Sequence, residues 1–235
     1  MKKFIIILSV LVFSCIFLLL GACETEPRLV FMKVNNEYVV VNGRGALSGD
    51  VVIPSEYKGK PVTRIENFSY WDEIVSIYIP DTISEIDSDA FGGCYSLKTF
   101  IVSENNPKYC AIDGHLYNKN GTVLIRYAIG QTNTTFEIPQ NVMVIGTSAF
   151  ENIENLTNII LPYNLDIIYY HSFYKCANLT ELIIPHSVTM IYTRAISDCT
   201  DLEVIYCEGS MADAEEWAED WNENNVPIVW DYIRD

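Results

Sequence analysis

The residues of this chain whose type and spacing could support chemistry are first of all its cysteines. Five lie beyond residue 23, an odd number, so they cannot all pair with one another. Cys94, Cys176 and Cys199 each follow an apolar position by three residues, and the equivalent positions elsewhere hold Trp71 and Ile153. A position that accepts tryptophan or isoleucine needs an apolar body, so we expect buried free thiols. The alternative is a disulfide between Cys176 and Cys199, because adjacent strands about 4.8 Å apart are within disulfide reach.

The other residues capable of catalysis or metal binding lack the spacing that such chemistry needs. His115, His171 and His186 stand far apart, and none follows a metal-ligand pattern such as H-E-x-x-H. The sequence has no G-x-S-x-G nucleophile motif, no phosphate-binding loop and no dinucleotide-type glycine turn. The adjacent acids Glu215 and Glu216 suit a solvated surface. We therefore predict no catalytic residue, no metal site and no cofactor, and the chain is not expected to be an enzyme.

A repeat of about 23 residues positions every other feature of the chain. Ile-Pro or Leu-Pro pairs recur with their prolines at Pro54, Pro80, Pro139, Pro162 and Pro185, and the last three prolines are 23 residues apart. The apolar spacing before these pairs, L-x-x-I-x-I, is typical of a short strand with one face buried. A single coil of this kind cannot bury its apolar face alone. The repeat therefore predicts a leucine-rich repeat solenoid, built mainly of short parallel β-strands with short helical turns.

The outward positions of these strands form a candidate binding face. In each coil one residue stands immediately before the second inward position of the strand; these residues are Tyr78, Ile101, Glu137, Ile160, Ile183 and Tyr206. Stacked coils are expected to align them in a ladder of mostly β-branched and aromatic side chains. Exposed apolar stripes rimmed by polar groups mark binding sites. The alternative is that strand propensity alone selects such residues.

The repeat is similar to the BspA-like (type 5) leucine-rich repeat family. The pattern that carries this resemblance is Ile-Pro-x-x-Val-x-x-Ile-Gly-x-x-Ala-Phe, which runs from Ile138 to Phe150. The resemblance extends to a spacer between repeats at about 104–131. There Asp113-Gly114 and Asn120-Gly121 are two-residue turns between short apolar runs, which predict a β-meander insertion. The resemblance implies adhesion-type contact, or contact with host or matrix proteins.

The two ends of the repeat region differ from its middle. Residues 44–54 resemble the entry coil of the family, so residues 31–62 are assigned as the N-terminal cap, and residues 63–208 hold the repeats. Residues 209–235 are predicted to form a C-terminal cap of one helix and one strand, because the open end of a solenoid needs a polar cover. The helix is expected from Ser210 to Trp221, since Ser210 suits an N-cap and acidic residues follow it.

The N-terminal segment has the pattern of an export signal. Met1-Lys2-Lys3 precedes an apolar run that ends at Leu20, and small residues then lead to Cys23. Leu20-Gly21-Ala22-Cys23 resembles a bacterial lipobox, which implies cleavage before Cys23 and lipidation of its thiol. We therefore assign residues 1–22 as a lipoprotein signal peptide and residues 23–30 as a tether. A retained transmembrane helix is the alternative.

Charge and architecture together define the expected function. The chain has 31 acidic and 15 basic residues and a net charge of −16, which argues against nucleic acid as a partner. We expect an extracytoplasmic protein, lipid-anchored to the bacterial membrane at the cell surface, that mediates protein–protein interaction or adhesion with an unidentified partner. The alternative is a surface lipoprotein that binds glycans through the aromatic residues of the strand face.

Overall fold

The computed structural model describes residues 28–44 and 47–234. The chain is a β-solenoid of about eight turns with almost no helix, in agreement with the predicted leucine-rich repeat fold. The strands of the described residues are β1 (Arg28–Val34), β2 (Glu37–Arg44), β3 (Ser48–Val52), β4 (Glu56–Tyr57), β5 (Lys60–Ile65), β6 (Glu73–Ile79), β7 (Glu85–Ile86), β8 (Thr99–Val102), β9 (Tyr109–Ile112), β10 (His115–Asn118), β11 (Val123–Arg126), β12 (Thr135–Glu137), β13 (Val144–Ile145), β14 (Asn158–Ile160), β15 (Ile167–Ile168), β16 (Glu181–Ile184), β17 (Met190–Ile191), β18 (Val204–Cys207) and β19 (Ile228–Val229).

Each coil contributes strands to two rows. The first row holds the strands of the L-x-x-I-x-I pattern: β6 pairs in parallel with β3 and β8, and β16 with β18. The second row holds the short strands that follow the prolines, where β15 lies between β13 and β17. Ile145, Ile168 and Ile191 face one another there, so each step along the row is one repeat. The proline between the rows stands where the first strand has ended and no ladder donor is needed.

Aromatic side chains form the centre of the core. The rings of Phe150 and Phe173 stack with 5.3 Å between centroids, and those of Phe68 and Phe91 meet edge to face at 5.8 Å. All four side chains are buried, which is the column that their 23-residue spacing predicts. The leucines that open the strand pattern are buried in successive coils as well: Leu156, Leu179 and Leu202.

The phenylalanines lie in turns rather than in continuous helices. In the coil of Phe150, the N–H of Ala149 donates to the carbonyl oxygen of Gly146, which closes a single turn. Ser148 and Asn152 then adopt left-handed backbone angles, with φ of 54° and 60°. A left-handed residue cannot continue a right-handed helix. The predicted short helical turns are therefore isolated turns separated by left-handed residues.

A three-stranded antiparallel meander interrupts the coils between β8 and β12. β10 pairs with β9 and with β11, and Asp113 and Gly114 connect the first two strands with φ of 51° and 82°. Two positive φ angles match the primed turns that suit the twist of a hairpin. β11 then joins the second row, where Val123 faces Val144. The buried core consists of two clusters, which divide at this meander.

An antiparallel hairpin of β1 and β2 begins the described part of the chain. β2 also pairs in parallel with β5, so the hairpin extends the second row. β1 starts at Arg28, within the segment 23–30 that the sequence assigns to a tether. Leu29 and Phe31 pack against the core cluster that precedes the meander.

The C-terminal segment continues the solenoid path. It contains one 3-10 helix, Met211–Ala214, rather than the predicted helix from Ser210 to Trp221. Beyond the 3-10 helix the backbone bonds to the preceding coil: the N–H of Ala218 donates to Ile191 and Trp221 accepts from Ile196. These cross-coil bonds replace the bonds that a helix would form within itself. The predicted strand is present as β19, which pairs in parallel with β18.

The predicted signal peptide and the lipidation site Cys23 lie outside the described residues. Within 28–44 and 47–234, no helix has the length and apolar character required to cross a membrane.

Candidate functional site

The structure brings the six predicted strand-face residues together in pairs. Backbone pairing places Tyr78 opposite Ile101 on β6 and β8. Further along the solenoid, Glu137 faces Ile160 and Ile183 faces Tyr206; these two pairs are on β12–β14 and β16–β18. The three pairs belong to three separate sheets, because the meander separates β8 from β12 and β14 lies in a different sheet from β16.

These residues differ in exposure. Ile101 is 48% exposed and Glu137 is also exposed, whereas Tyr78, Ile160, Ile183 and Tyr206 are half-buried. All six side chains nevertheless avoid the core, whose members alternate with them along each strand. The repeat predicts that these six side chains point away from the core, and in the structure each of them does.

Tyr206 is engaged by the end of the chain. Its ring centroid lies 4.5 Å from that of Tyr232, and the N–H of Tyr232 donates to the carbonyl oxygen of Cys207 at 2.9 Å. The terminal segment is further held by Arg234, which pairs with Glu208 at 2.9 Å and lies over the ring of Tyr163. One face of Tyr206 is thus already occupied by the protein itself.

The first pair, by contrast, lines an open apolar groove of about 540 Å³. Tyr78 and Ile101 are joined there by Val52 and Val75, and backbone pairing aligns Val52 with Tyr78 across β3 and β6. Val52 is 63% exposed, which is high for an aliphatic side chain within a strand. β3 is an edge strand of this sheet and the first strand of the first row, so the groove reaches the end of that row. Adjacent exposed apolar side chains of this kind are typical of a contact surface.

A short polar row borders the groove. Asp50, Ser76 and Thr99 occupy consecutive strands, and the Ser76 hydroxyl donates to Asp50 Oδ1 at 2.6 Å. This bond satisfies part of the hydrogen-bonding capacity of the row within the protein. The groove therefore offers mainly apolar contact, with one carboxylate at its margin.

Sequence reasoning missed Val52 and Val75, and a signal for Val52 was present. Val52 stands directly before Ile53-Pro54, as Tyr78 stands before Ile79-Pro80. The two prolines are 26 rather than 23 residues apart, and the strands pair with that same offset, Val52 opposite Tyr78. Aligning the coils on the proline, without requiring a fixed period, would have added Val52 to the ladder.

The cysteines of the described residues are free thiols, in agreement with the favoured prediction. The thiol of Cys176 donates to the carbonyl oxygen of Phe150 at 3.2 Å, and Cys199 makes the equivalent bond to Phe173 at 3.0 Å. Burial raises the pKa of Cys94 to about 11 and that of Cys207 to about 12, so these thiols remain protonated at neutral pH. Their role is to fill the core position that other coils give to apolar residues.

The histidines occupy separate parts of the fold. His115 is buried on β10, where its Nδ1 accepts a hydrogen bond from the N–H of Ala128 at 3.0 Å. His171 lies in a turn, and His186 follows β16 with its Nδ1 4.0 Å from Asp213. In the part of the chain that the structure covers, no three His, Cys, Asp or Glu side chains are grouped so that they could hold a metal ion.

The coil geometry agrees with a known repeat. A family model described as the BspA type leucine rich repeat region matches this chain in six copies, over residues 59–113 and 127–218. The chain belongs to the BspA-type leucine-rich repeat family. The break in the BspA-type match falls on residues 114–126, which hold β10 and β11 of the meander. A comparison with curated proteins finds no match.

Solved structures share the fold. A leucine-rich repeat protein from Eubacterium ventriosum is 27% identical with a TM-score of 0.58, over 68% of this chain and 42% of that chain. The pneumococcal vaccine antigen PcpA is 21% identical with a TM-score of 0.56, over 65% of this chain and 44% of that chain. The aligned region thus covers less than half the length of each of these two solved proteins. The likeness to PcpA concerns the fold alone.

Proposed function

We propose that this BspA-type repeat protein is held at the bacterial surface and binds a partner protein through the apolar groove on its first three coils. The observation that carries the proposal is the exposure of Val52, Val75 and Ile101 beside Tyr78 on one face of the sheet β3-β6-β8. Protein interfaces concentrate their binding energy in such apolar and aromatic centres with a polar rim. Solenoids commonly bind through extended surfaces of this type.

The charge of the chain defines the partner further. With a net charge of −16 and Asp50 at the margin of the groove, the protein repels acidic surfaces. Complementary charge speeds association and suppresses wrong partners. We therefore expect a partner whose contact patch is apolar at its centre and carries lysine or arginine at its rim.

The groove favours protein over glycan as its ligand. Sugar hydroxyls need several hydrogen-bonding groups, and the groove has mainly aliphatic walls with Ser76 and Asp50 already bonded to each other. An extended aromatic ladder also needs Tyr206, whose ring packs against Tyr232. The strand face thus offers a sugar one half-buried tyrosine, Tyr78, whereas stacking along a glycan needs a row of free aromatic rings.

Site-specific photo-crosslinking on intact cells tests the groove. A photoreactive amino acid at Val52 is expected to yield a discrete protein adduct, and the substitution Ile101→Asp is expected to abolish that adduct. The matched control carries the photoreactive group at Met143, which is 47% exposed and lies outside the groove. The same adducts from both positions, or adducts that survive Ile101→Asp, would refute the proposed contact.

The tether is tested separately at Cys23. The proposal expects the wild-type chain in the membrane fraction and a Cys23→Ser chain released from it or retained only by an uncleaved signal. Mass measurement of the mature N-terminus distinguishes these states, since lipidation adds an acylated glyceryl group to the cysteine. An unmodified cysteine at the N-terminus of the mature protein would exclude the lipid anchor and leave the groove proposal intact.

A further inference from the structure

A polar cleft opens where the row of turns is interrupted beside the meander. Its volume is about 400 Å³, within the range of small-molecule sites. Tyr70 and Asp89 form one wall, from the coils that precede the meander. Glu151, Asn152 and Tyr174 form the other, from the coils that follow it. The meander supplies strands but no phenylalanine turn, which leaves a gap between the turns of the two halves.

Tyr70 is the unusual residue of this cleft. Its φ is 62°, a left-handed conformation that is rare for a bulky side chain. The ring rests on Gly93, where an added Cβ would come within 2.6 Å of the tyrosine Cδ1. The equivalent position is left-handed in the other coils too, where Gly93, Asn152, Lys175 and Asp198 occupy it, so the backbone angle belongs to the repeat. What distinguishes this coil is the side chain: a tyrosine that is 77% exposed at the mouth of the cleft. An exposed aromatic ring beside polar groups is typical of a ligand contact.

The opposite wall supplies hydrogen-bonding groups. The Glu151 carboxylate lies 4.0 Å from the buried guanidinium of Arg126 and within 3.4 Å of the Asn152 amide, which orient it. Asp89 provides a second carboxylate across the cleft. Carboxylates accept strong hydrogen bonds from hydroxyl groups. Tyr174 is less available as a platform, because Lys175 lies over its ring at 4.9 Å.

We propose that this cleft binds a neutral carbohydrate of one or two sugar rings. The apolar face of a sugar would stack on the free side of Tyr70, and its hydroxyls would donate to Asp89 and Glu151. Two carboxylates and the net charge of −16 disfavour acidic sugars. Organic cations bind best within several desolvated aromatic faces, whereas the cleft offers one exposed ring. The proposal is independent of the strand-face groove.

The test is a titration of the full chain with named neutral sugars, followed by saturation-transfer NMR. The probes are glucose, galactose, mannose and N-acetylglucosamine with their β-linked disaccharides. At least one is expected to bind with a dissociation constant in the millimolar range, about 1–10 mM. Tyr70→Gly removes the ring while glycine accepts the left-handed backbone without strain, so the variant is expected to fold. We expect its affinity to fall about tenfold or more.

A second variant and a control complete the design. Asp89→Ala is expected to weaken binding to a similar extent, whereas Tyr163→Ala, at an exposed tyrosine outside the cleft, is expected to leave it unchanged. The proposal fails if no probe binds at about 20 mM, or if binding survives Tyr70→Gly. It also fails if tetramethylammonium binds and the sugars do not, which would assign the cleft to cations.

Discussion

The guanidinium of Arg126 donates a hydrogen bond from Nη2 to the carbonyl oxygen of Ser88 at 2.9 Å. Its Nη1 donates to the carbonyl oxygen of Ser148. Ser88 lies before the meander and Ser148 follows it, so one side chain of β11 connects the two halves of the solenoid. Arg126 is 5% exposed, and water therefore competes little for these bonds.

Removal of this guanidinium is expected to destabilise the fold. Arg126→Ala should lower the free energy of unfolding by about 3–5 kcal/mol, because the buried carbonyl oxygen of Ser148 and the carbonyl oxygen of Ser88 lose their donor and Glu151 loses its partner. Urea denaturation of the purified chain measures the loss. The control is Arg64→Ala, at a half-buried residue paired with Glu66 at 2.9 Å, for which about 1 kcal/mol or less is expected. Similar losses for both variants would contradict the role of Arg126 as a connection.

The aromatic column makes a second prediction. Phe173→Ala deletes a fully buried ring that stacks on Phe150, and the cavity is expected to lower the free energy of unfolding by about 3–5 kcal/mol. Differential scanning calorimetry should show a fall in Tm of roughly 10 °C. Tyr95→Ala, at a position that is 49% exposed, should shift Tm by only a few degrees. A shift of that small size for Phe173→Ala would contradict the stacked core.

Stability should depend on pH through His115. Burial lowers the pKa of His115 to about 4, and its ring stacks on Tyr127 at 4.3 Å. As pH falls, the unfolded chain binds a proton near pH 6.5 before the folded chain does. The contribution of His115 is therefore complete above about pH 6.5 and is lost between pH 6.5 and 4, by about 3 kcal/mol in total.

Urea denaturation at pH 7 and pH 5 measures this effect. His115→Asn retains a hydrogen-bond acceptor for Ala128 but does not titrate, so its loss of stability between the two pH values should be smaller than that of the wild type by about 2 kcal/mol. The exposed residue His186 provides the control, because His186→Asn should preserve the wild-type dependence. Parallel behaviour of His115→Asn and the wild type would exclude His115 as the titrating group.

The thiols should differ in their reaction with iodoacetamide at pH 8. Cys110 is half-buried and is expected to be alkylated slowly in the folded chain. The other four described cysteines are buried and should react only after unfolding in urea: Cys94, Cys176, Cys199 and Cys207. Peptide mapping by mass spectrometry identifies the modified positions. A Cys176–Cys199 disulfide peptide from protein prepared without reductant would overturn the assignment of free thiols.

The periodic part of the fold was predictable from sequence for a physical reason. Phe150 and Phe173 occupy equivalent environments because each coil repeats the packing of the previous one, so spacing in the chain becomes spacing in the core. The same logic located the outward position of Ile101. It failed for the segment after Ser210, where an N-cap serine followed by acidic residues predicted a helix, whereas the structure forms backbone bonds from Ala218 to the preceding coil.

Features that depend on contacts between distant segments could not be predicted in this way. Arg126 lies on a short strand, and the alternation of side chains along that strand does not predict a buried charge. The carbonyl oxygens that accept its hydrogen bonds lie 38 and 22 residues away in the chain. The packing of Tyr206 against Tyr232 likewise depends on where the chain end folds back. The cleft beside Tyr70 arises from a missing turn, which a repeat search records only as a gap between Phe91 and Phe150.

The division of the core at the meander has a consequence for how such a protein can change in length. The two hydrophobic clusters lie on opposite sides of this division, and the coils beyond residue 138 make their apolar contacts with one another and with Tyr127 and Phe136 next to the meander. A duplication or deletion of one whole 23-residue unit there would leave the groove of β3, β6 and β8 undisturbed. The sheet that carries the groove and the number of coils that follow residue 138 can thus vary independently.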